Sequence, residues 1–168
     1  EEIAAGTLAR DYYQIEDADY IYEIGLTPNR MDSMSHMGVA KDVCAFLSNE
    51  SGSMVLTKMP AVELPAASIK DAINVAIEDA ALCARYAGVC IENIVVADSP
   101  AWLQQKLKSI GLRPINNIVD ITNFVLHETG QPLHAFDRSQ IKGNKVVVRH
   151  ARAGEKFVCL DEKERTLE

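Results

Sequence analysis

The spacing of hydrophobic and polar positions changes several times along the chain. Residues 20–26, "YIYEIGL", alternate: Tyr22, Ile24 and Leu26 share one face, with Glu23 and Gly25 on the other. That period of two predicts a half-buried strand. Pro28 ends it, because proline has no N–H to give to a ladder. The period then lengthens. Met34, Met37, Ala40, Lys41, Val43, Cys44 and Leu47 recur at helical spacing. A helix to about Leu47 is expected, capped by Asp32 or Ser33, with Gly52 closing the loop behind it.

Residues 48–68 carry two prolines and many small residues and read as a linker. Alternation then returns. Ile73, Val75 and Ile77 share a face, and "YAGVCIENIVV" reads as a second, longer strand that could pair with the first in antiparallel fashion. The next stretch, "DSPAWLQQKLKSIGLRP", predicts a helix with Ser99 as cap and Pro100 in the first turn. Leu103, Leu107 and Ile110 form its stripe, Gly111 ends it, and Pro114 prevents continuation. A second helix is expected from about Asn117 to Thr129, with Ile118, Val119, Thr122, Val125 and Leu126 inward and Gly130 at its end. After an irregular "QPLHAFD", the runs "KVVVRHA" and "KFVCLD" predict a hairpin, and "ERTLE" a further strand. The pattern is α+β: mixed or antiparallel sheets with packed helices.

Composition narrows this picture. The chain has 168 residues, enough for one domain or parts of two, and its 48% hydrophobic content suits a buried core. No apolar run is long enough to span a membrane. The first residue is Glu and no basic-then-apolar leader follows, so the chain reads as an excised piece without a secretory start, and its irregularly spaced cysteines point to a reducing cytoplasm. Net charge is −7, which argues against a broad phosphate-binding surface and leaves room for a local contact with nucleic acid. Cys44, Cys83, Cys90 and Cys159 form no C-x-x-C, and their spacing fits four buried thiols rather than zinc or disulfides.

The common phosphate-loop, zinc-protease and serine-hydrolase motifs are absent. His36 at a helix start reads as a solvated side chain. His127 near a helix end is favoured there by the dipole, and His150 reads as a strand-edge residue. His134 differs, because it lies in a loop between apolar neighbours, where a histidine is either a buried polar strut or a site residue. Arg113 stands between a helix end and Pro114, placed either to cap the last carbonyls or to line a site.

Two long stretches carry a family resemblance. "LTPNRMDSMSHMGVAKDVCAFL" resembles the L-T-P-N-R-x-D-x-x-S-x-x-G-x-A-R-E segment of bacterial phenylalanyl-tRNA synthetase β chains, with Lys41-Asp42 in place of Arg-Glu. "ARYAGVCIENIVVADSPAWLQQKLKSIGLRPINNIVDITNFVLHETGQPLHAFD" is similar to the family's next domain, with Phe124 in place of the usual Tyr. The resemblance implies that residues 1–57 are the C-terminal part of the discontinuous first (B1) domain. It implies that 58–168 are the N-terminal part of the B3/B4 tRNA-editing domain.

The function implied is that of the whole enzyme. An α2β2 assembly with the synthetase α chain charges tRNA(Phe) with phenylalanine, using ATP and Mg2+, and B3/B4 hydrolyses Tyr-tRNA(Phe). An apolar pocket rejects an added hydroxyl weakly, so a second site that bonds the hydroxyl is needed. His134, in G-Q-P-x-H-A-F-D, matches the family's pocket histidine, and Arg113, in G-x-R-x-I, its pocket arginine. The rest of that pocket follows the residues matching 168, and no cofactor or metal belongs to this stretch. The alternative is a non-catalytic structural or subunit-docking module. Apolar surface left where other segments belong would make the isolated piece self-associate. The corner at 27–30 reads as structural, with Asn29 and Arg30 bonding across it or to a neighbouring domain.

Overall fold

The computed structural model describes residues 3–13, 20–58, 61, 73–159 and 161–168. The chain divides into two compact units, Glu1–Lys58 with Ala97–Leu133, and Met59–Val96 with His134–Glu168. Helices dominate the first unit and short strands the second, an α+β arrangement.

In the first unit, a one-turn helix α1 spans Ala9–Tyr12. A 3-10 turn, Met31–Ser33, leads into α2, His36–Ser51. The cap is Ser35, whose hydroxyl accepts from the Gly38 N–H at 3.0 Å, and not Asp32 or Ser33. Gly52 closes α2 at φ 65°, after the helix has run four residues past Leu47. The expected strand at 20–26 does not form. Neither sheet of the described residues includes it, and Tyr20, Tyr22 and Ile24 are 81%, 79% and 51% exposed. Alternation specifies a face, but a ladder also needs a neighbour.

α3 spans Ala101–Ser109. Pro100, at φ −60° and ψ 151°, takes the cap position, which frees the Ser99 hydroxyl for another partner. Leu103 and Leu107 are each 1% exposed, whereas Ile110, the third member of the expected stripe, is 38% exposed. α4 spans Asn117–Thr129 as its pattern predicts, with the Asn116 carboxamide accepting from the N–H groups of Ile118 and Val119. It packs against both α2 and α3.

In the second unit, β1 (Asn74–Ile77) pairs in parallel with β2 (Lys145–Val148), with Val75 opposite Val146 and Ile77 opposite Val148. Residues 86–96 form no strand, so the antiparallel partner expected for β1 is replaced by a parallel one much later in the chain. β3 (Lys156–Val158) pairs antiparallel with β4 (Glu164–Thr166). The hairpin therefore lies one strand later than expected. Residues 145–148 are taken by the parallel pair, and 156–158 fold back on 164–166 instead. Leu160, in the expected run "KFVCLD", and residues 59–60 and 62–68 of the expected linker lie outside the described residues. The cysteines are free but not buried: Cys90 is exposed, and Cys44, Cys83 and Cys159 are half-buried.

Candidate functional site

The corner at 27–30 is organised by Arg30. Its guanidinium donates to both carboxylate oxygens of Asp32 at 3.0 Å, to the Ser33 hydroxyl at 2.7 Å, and to Asp42 on α2 at 2.7 Å. These bonds hold the Asp32 and Asp42 carboxyls below the usual carboxylate range and raise Arg30 above its ordinary value. The turn sits tightly on α2. A Cβ on Gly38 would come within 2.6 Å of Ser33 Cα and 2.8 Å of its carbonyl carbon. The Arg30 guanidinium thus ties the turn to α2, and the corner joins two elements. Arg30 bonds across it as the sequence suggests.

A second polar cluster fixes the loop that carries Arg113. Asp120, 1% exposed in the first turn of α4, accepts from the Ser99 hydroxyl at 2.5 Å and from the Ile115 N–H at 2.9 Å. At the other end of the loop, the Leu112 N–H donates to the Leu107 carbonyl at 2.9 Å. Arg113 is thus exposed on a segment pinned on both sides. No hydrogen bond or ion pair to another described residue holds its guanidinium, so the capping reading does not describe it. Pattern reading missed Asp120. Its signal was an ionisable residue among the inward positions Ile118, Val119 and Thr122, where a charge survives only with dedicated partners.

His134 begins the second unit's C-terminal segment and is exposed, not a buried strut. Its ring lies 6.2 Å from that of Phe136, tilted by 32°. Just beyond, Asp137 accepts from the Ser139 N–H and hydroxyl at 2.9 and 2.8 Å, and the hydroxyl bond holds its carboxyl below the usual range. That turn fixes the backbone after the histidine. Arg113 belongs to the first unit and His134 to the second.

The other histidines are placed by single contacts. His36 Nδ1 donates to the His127 carbonyl at 3.0 Å, tying the start of α2 to the last turn of α4. His150 follows β2, and its Nε2 lies 3.0 Å from Asp79 Oδ2. That contact, with the Ala81 N–H on the other oxygen, lowers the Asp79 carboxyl. Among the described residues no three His, Cys, Asp or Glu side chains group so as to hold a metal ion, and no helix is long and apolar enough to cross a membrane.

A family model described as "B3/4 domain" matches residues 82–168, a stretch that includes Arg113, Asp120 and His134. The chain is 48% identical over 168 residues to a protein named phenylalanine–tRNA ligase beta subunit from Bacteroides fragilis, covering 99% of this chain and 20% of that protein. Proteins of the same name from Porphyromonas gingivalis and Bacillus subtilis are 51% identical over 162 residues and 49% identical over 156. Those alignments cover 96% and 92% of this chain, and 20% and 18% of those proteins. The chain thus spans about a fifth of the length of the curated relatives it matches.

Proposed function

The chain belongs to the B3/4 domain family, and from that premise we propose that it forms part of the β subunit of a phenylalanine–tRNA ligase. Residues 1–57 are the end of its first domain and 58–168 the first part of its tRNA-editing domain. The observation that carries this is identity of 48–51% along nearly the whole chain to proteins of that name. The whole enzyme joins phenylalanine to tRNA(Phe) with ATP and Mg2+, as a cytoplasmic assembly with an α chain that holds the charging site. The nucleotide and metal belong to that other chain, and no step here passes through them.

The part played by this chain is hydrolysis of mischarged Tyr-tRNA(Phe). Water attacks the ester carbonyl carbon, the bond to the 3′-terminal ribose oxygen breaks, and tyrosine and intact tRNA are released. His134 orients the water or the terminal ribose, and Arg113 holds the 3′-terminal nucleotide or shapes the pocket. Support comes from their exposure and from the pinning of the Arg113 loop through Ile115 and Leu112. The decisive test uses the full-length ligase carrying His134→Ala. Phenylalanine charging is retained, while deacylation of Tyr-tRNA(Phe) falls on the order of 10²-fold. Deacylation at the wild-type rate removes His134 from the site.

A second reading is favoured by exposed apolar side chains. Val89, Ile91 and Val95 are 85%, 72% and 76% exposed, more than an independent domain usually leaves in water. On that reading the chain docks neighbouring parts of the enzyme, and self-associates when it has none. Deacylation indifferent to His134, with assembly lost on substituting these apolar residues, would select it.

A further inference from the structure

The Asp120 carboxylate, 1% exposed, bonds to two stretches of chain that the whole of α3 separates. One oxygen accepts from the Ser99 hydroxyl, before α3, and the other from the Ile115 N–H, after it. Each stretch is itself tied to that helix. The Gln104 carboxamide donates to the Ser99 carbonyl at 2.7 Å, and the Leu112 N–H to the Leu107 carbonyl at 2.9 Å. Asn117, in the first turn of α4, adds a second clamp. Its N–H donates to the Ala97 carbonyl at 2.9 Å, and its carboxamide oxygen accepts from the Ala97 N–H at 3.2 Å. The first turn of α4 thus closes the segment from 97 to 115 upon itself. Arg113 lies inside that closure, between the bonded N–H groups of Leu112 and Ile115. Its neighbour Pro114 has a fixed φ and biases Arg113 to an extended backbone. The backbone at 113 is therefore set from both sides, while the guanidinium is exposed and bonded to no other described residue. A held backbone behind an open guanidinium is a preorganised binding group, because less freedom is lost when a substrate arrives.

We infer that Asp120 is a positioning residue for the hydrolysis of Tyr-tRNA(Phe): its carboxylate holds the backbone at 113 so that the Arg113 guanidinium stands ready for the substrate. This rests on the reading above, in which Arg113 serves the hydrolysis, and gives Asp120 a part which that reading does not assign. A carboxylate suits the task because both of its oxygens accept, so one side chain joins donors from two segments. A purely structural Asp120 would weaken the fold without acting through Arg113.

The test uses the full-length ligase and reads kcat and KM for deacylation of Tyr-tRNA(Phe), with phenylalanine charging as the control for folding and assembly. Arg113→Ala should lower kcat/KM by about tenfold or more. Asp120→Ala should lower it with the same division between kcat and KM, by up to about 10²-fold, while charging is kept. Asp120→Asn should recover most of the loss, since its oxygen still accepts from the Ile115 N–H and its N–H groups can donate to the Ser99 oxygen. The double variant Asp120→Ala/Arg113→Ala should be no slower than Arg113→Ala alone, because a residue that acts through Arg113 then has nothing left to position. If Asp120→Ala lowers charging as well, Ser99→Ala, which removes one of the two bonds, takes its place in the same cycle. Losses that multiply in the double variant, an Asn variant as slow as the Ala variant, or deacylation indifferent to Asp120 would overturn the inference. The two proposals fail distinguishably. Deacylation indifferent to Arg113 removes that residue from the site and this inference with it. A loss from Arg113→Ala that Asp120→Ala multiplies ends this inference alone. Deacylation indifferent to His134, with Asp120 still acting through Arg113, ends only the role of His134.

Discussion

The two units are held together by different kinds of interaction. Ser33, Gly38, Ser99, Leu103, Leu107 and Asp120 are buried, and all six lie in the first unit; no described residue of the second is buried. Apart from the half-exposed Arg30–Asp32–Asp42 cluster at its corner, the first unit is closed by helix caps, two leucines and a buried carboxylate with both oxygens bonded. The second is closed by two short ladders and by charged pairs at its surface, among them Arg149–Glu155 and Lys156–Glu164. Burial strengthens polar contacts and penalises their loss, whereas water and salt weaken exposed ones. The first unit should therefore be sensitive to single substitutions, and the second to solution conditions.

The largest effect should come from the leucines. Leu103→Ala removes a side chain that is 1% exposed and should cost about 2–5 kcal/mol in urea unfolding. Val147, on β2 and 41% exposed, gives up little burial, so Val147→Ala should cost well under half as much. Equal losses would mean that the second unit has a core of its own, and the contrast would fail.

Asp120 comes next. Asp120→Ala leaves the Ser99 hydroxyl and the Ile115 N–H without their acceptor, at about 1–3 kcal/mol. Hydrogen exchange should rise in the loop at 110–116 before it rises in α2. A loop unaffected by the substitution would show that the Leu112–Leu107 bond alone holds Arg113 in place.

The same division decides what could be read from the residues. α4 was legible to its ends because each signal is local: Asn116 caps it, the stripe repeats along it, and Gly130 leaves it at φ 82°. The start of α2 was misplaced because 32–35 offer three capping side chains, and Arg30 claims Asp32 and Ser33. That competition depends on Asp42, a full helical turn and more away. Strand partners were misjudged for a related reason. The Val75 and Val146 runs each show an inward face, but nothing local tells one that the other is its neighbour. Arg113 and His134 were singled out by their loop positions and by motif, yet the bond that steadies Arg113 comes from Asp120, whose second partner, Ser99, lies far back in the sequence.

The smallest effect should appear in the second unit and be driven by pH. Glu155 accepts from Arg149 at 2.6 and 3.0 Å and from the Arg152 N–H at 3.0 Å. The Arg149 bonds, chiefly, bring its carboxyl from 4.5 down to about 2. The folded value is the lower one, so the contribution is fully present above the unfolded value of 4.5 and is lost as pH falls toward about 2. NMR titration of the Glu155 side chain should give a midpoint near 2. Arg149→Ala should raise that midpoint toward 4.5 without reaching it, because the Arg152 N–H still donates. Both side chains are about 30% exposed, so the loss in overall stability should be slight and should shrink further in high salt. A midpoint already near 4.5 in the unsubstituted chain would mean that the pair is open in solution. The turn joining β2 to β3 would then rest on its backbone bonds, Glu155 N–H to the Arg152 carbonyl and Leu167 N–H to the Glu155 carbonyl. The second unit would then not depend on charge where the first depends on burial.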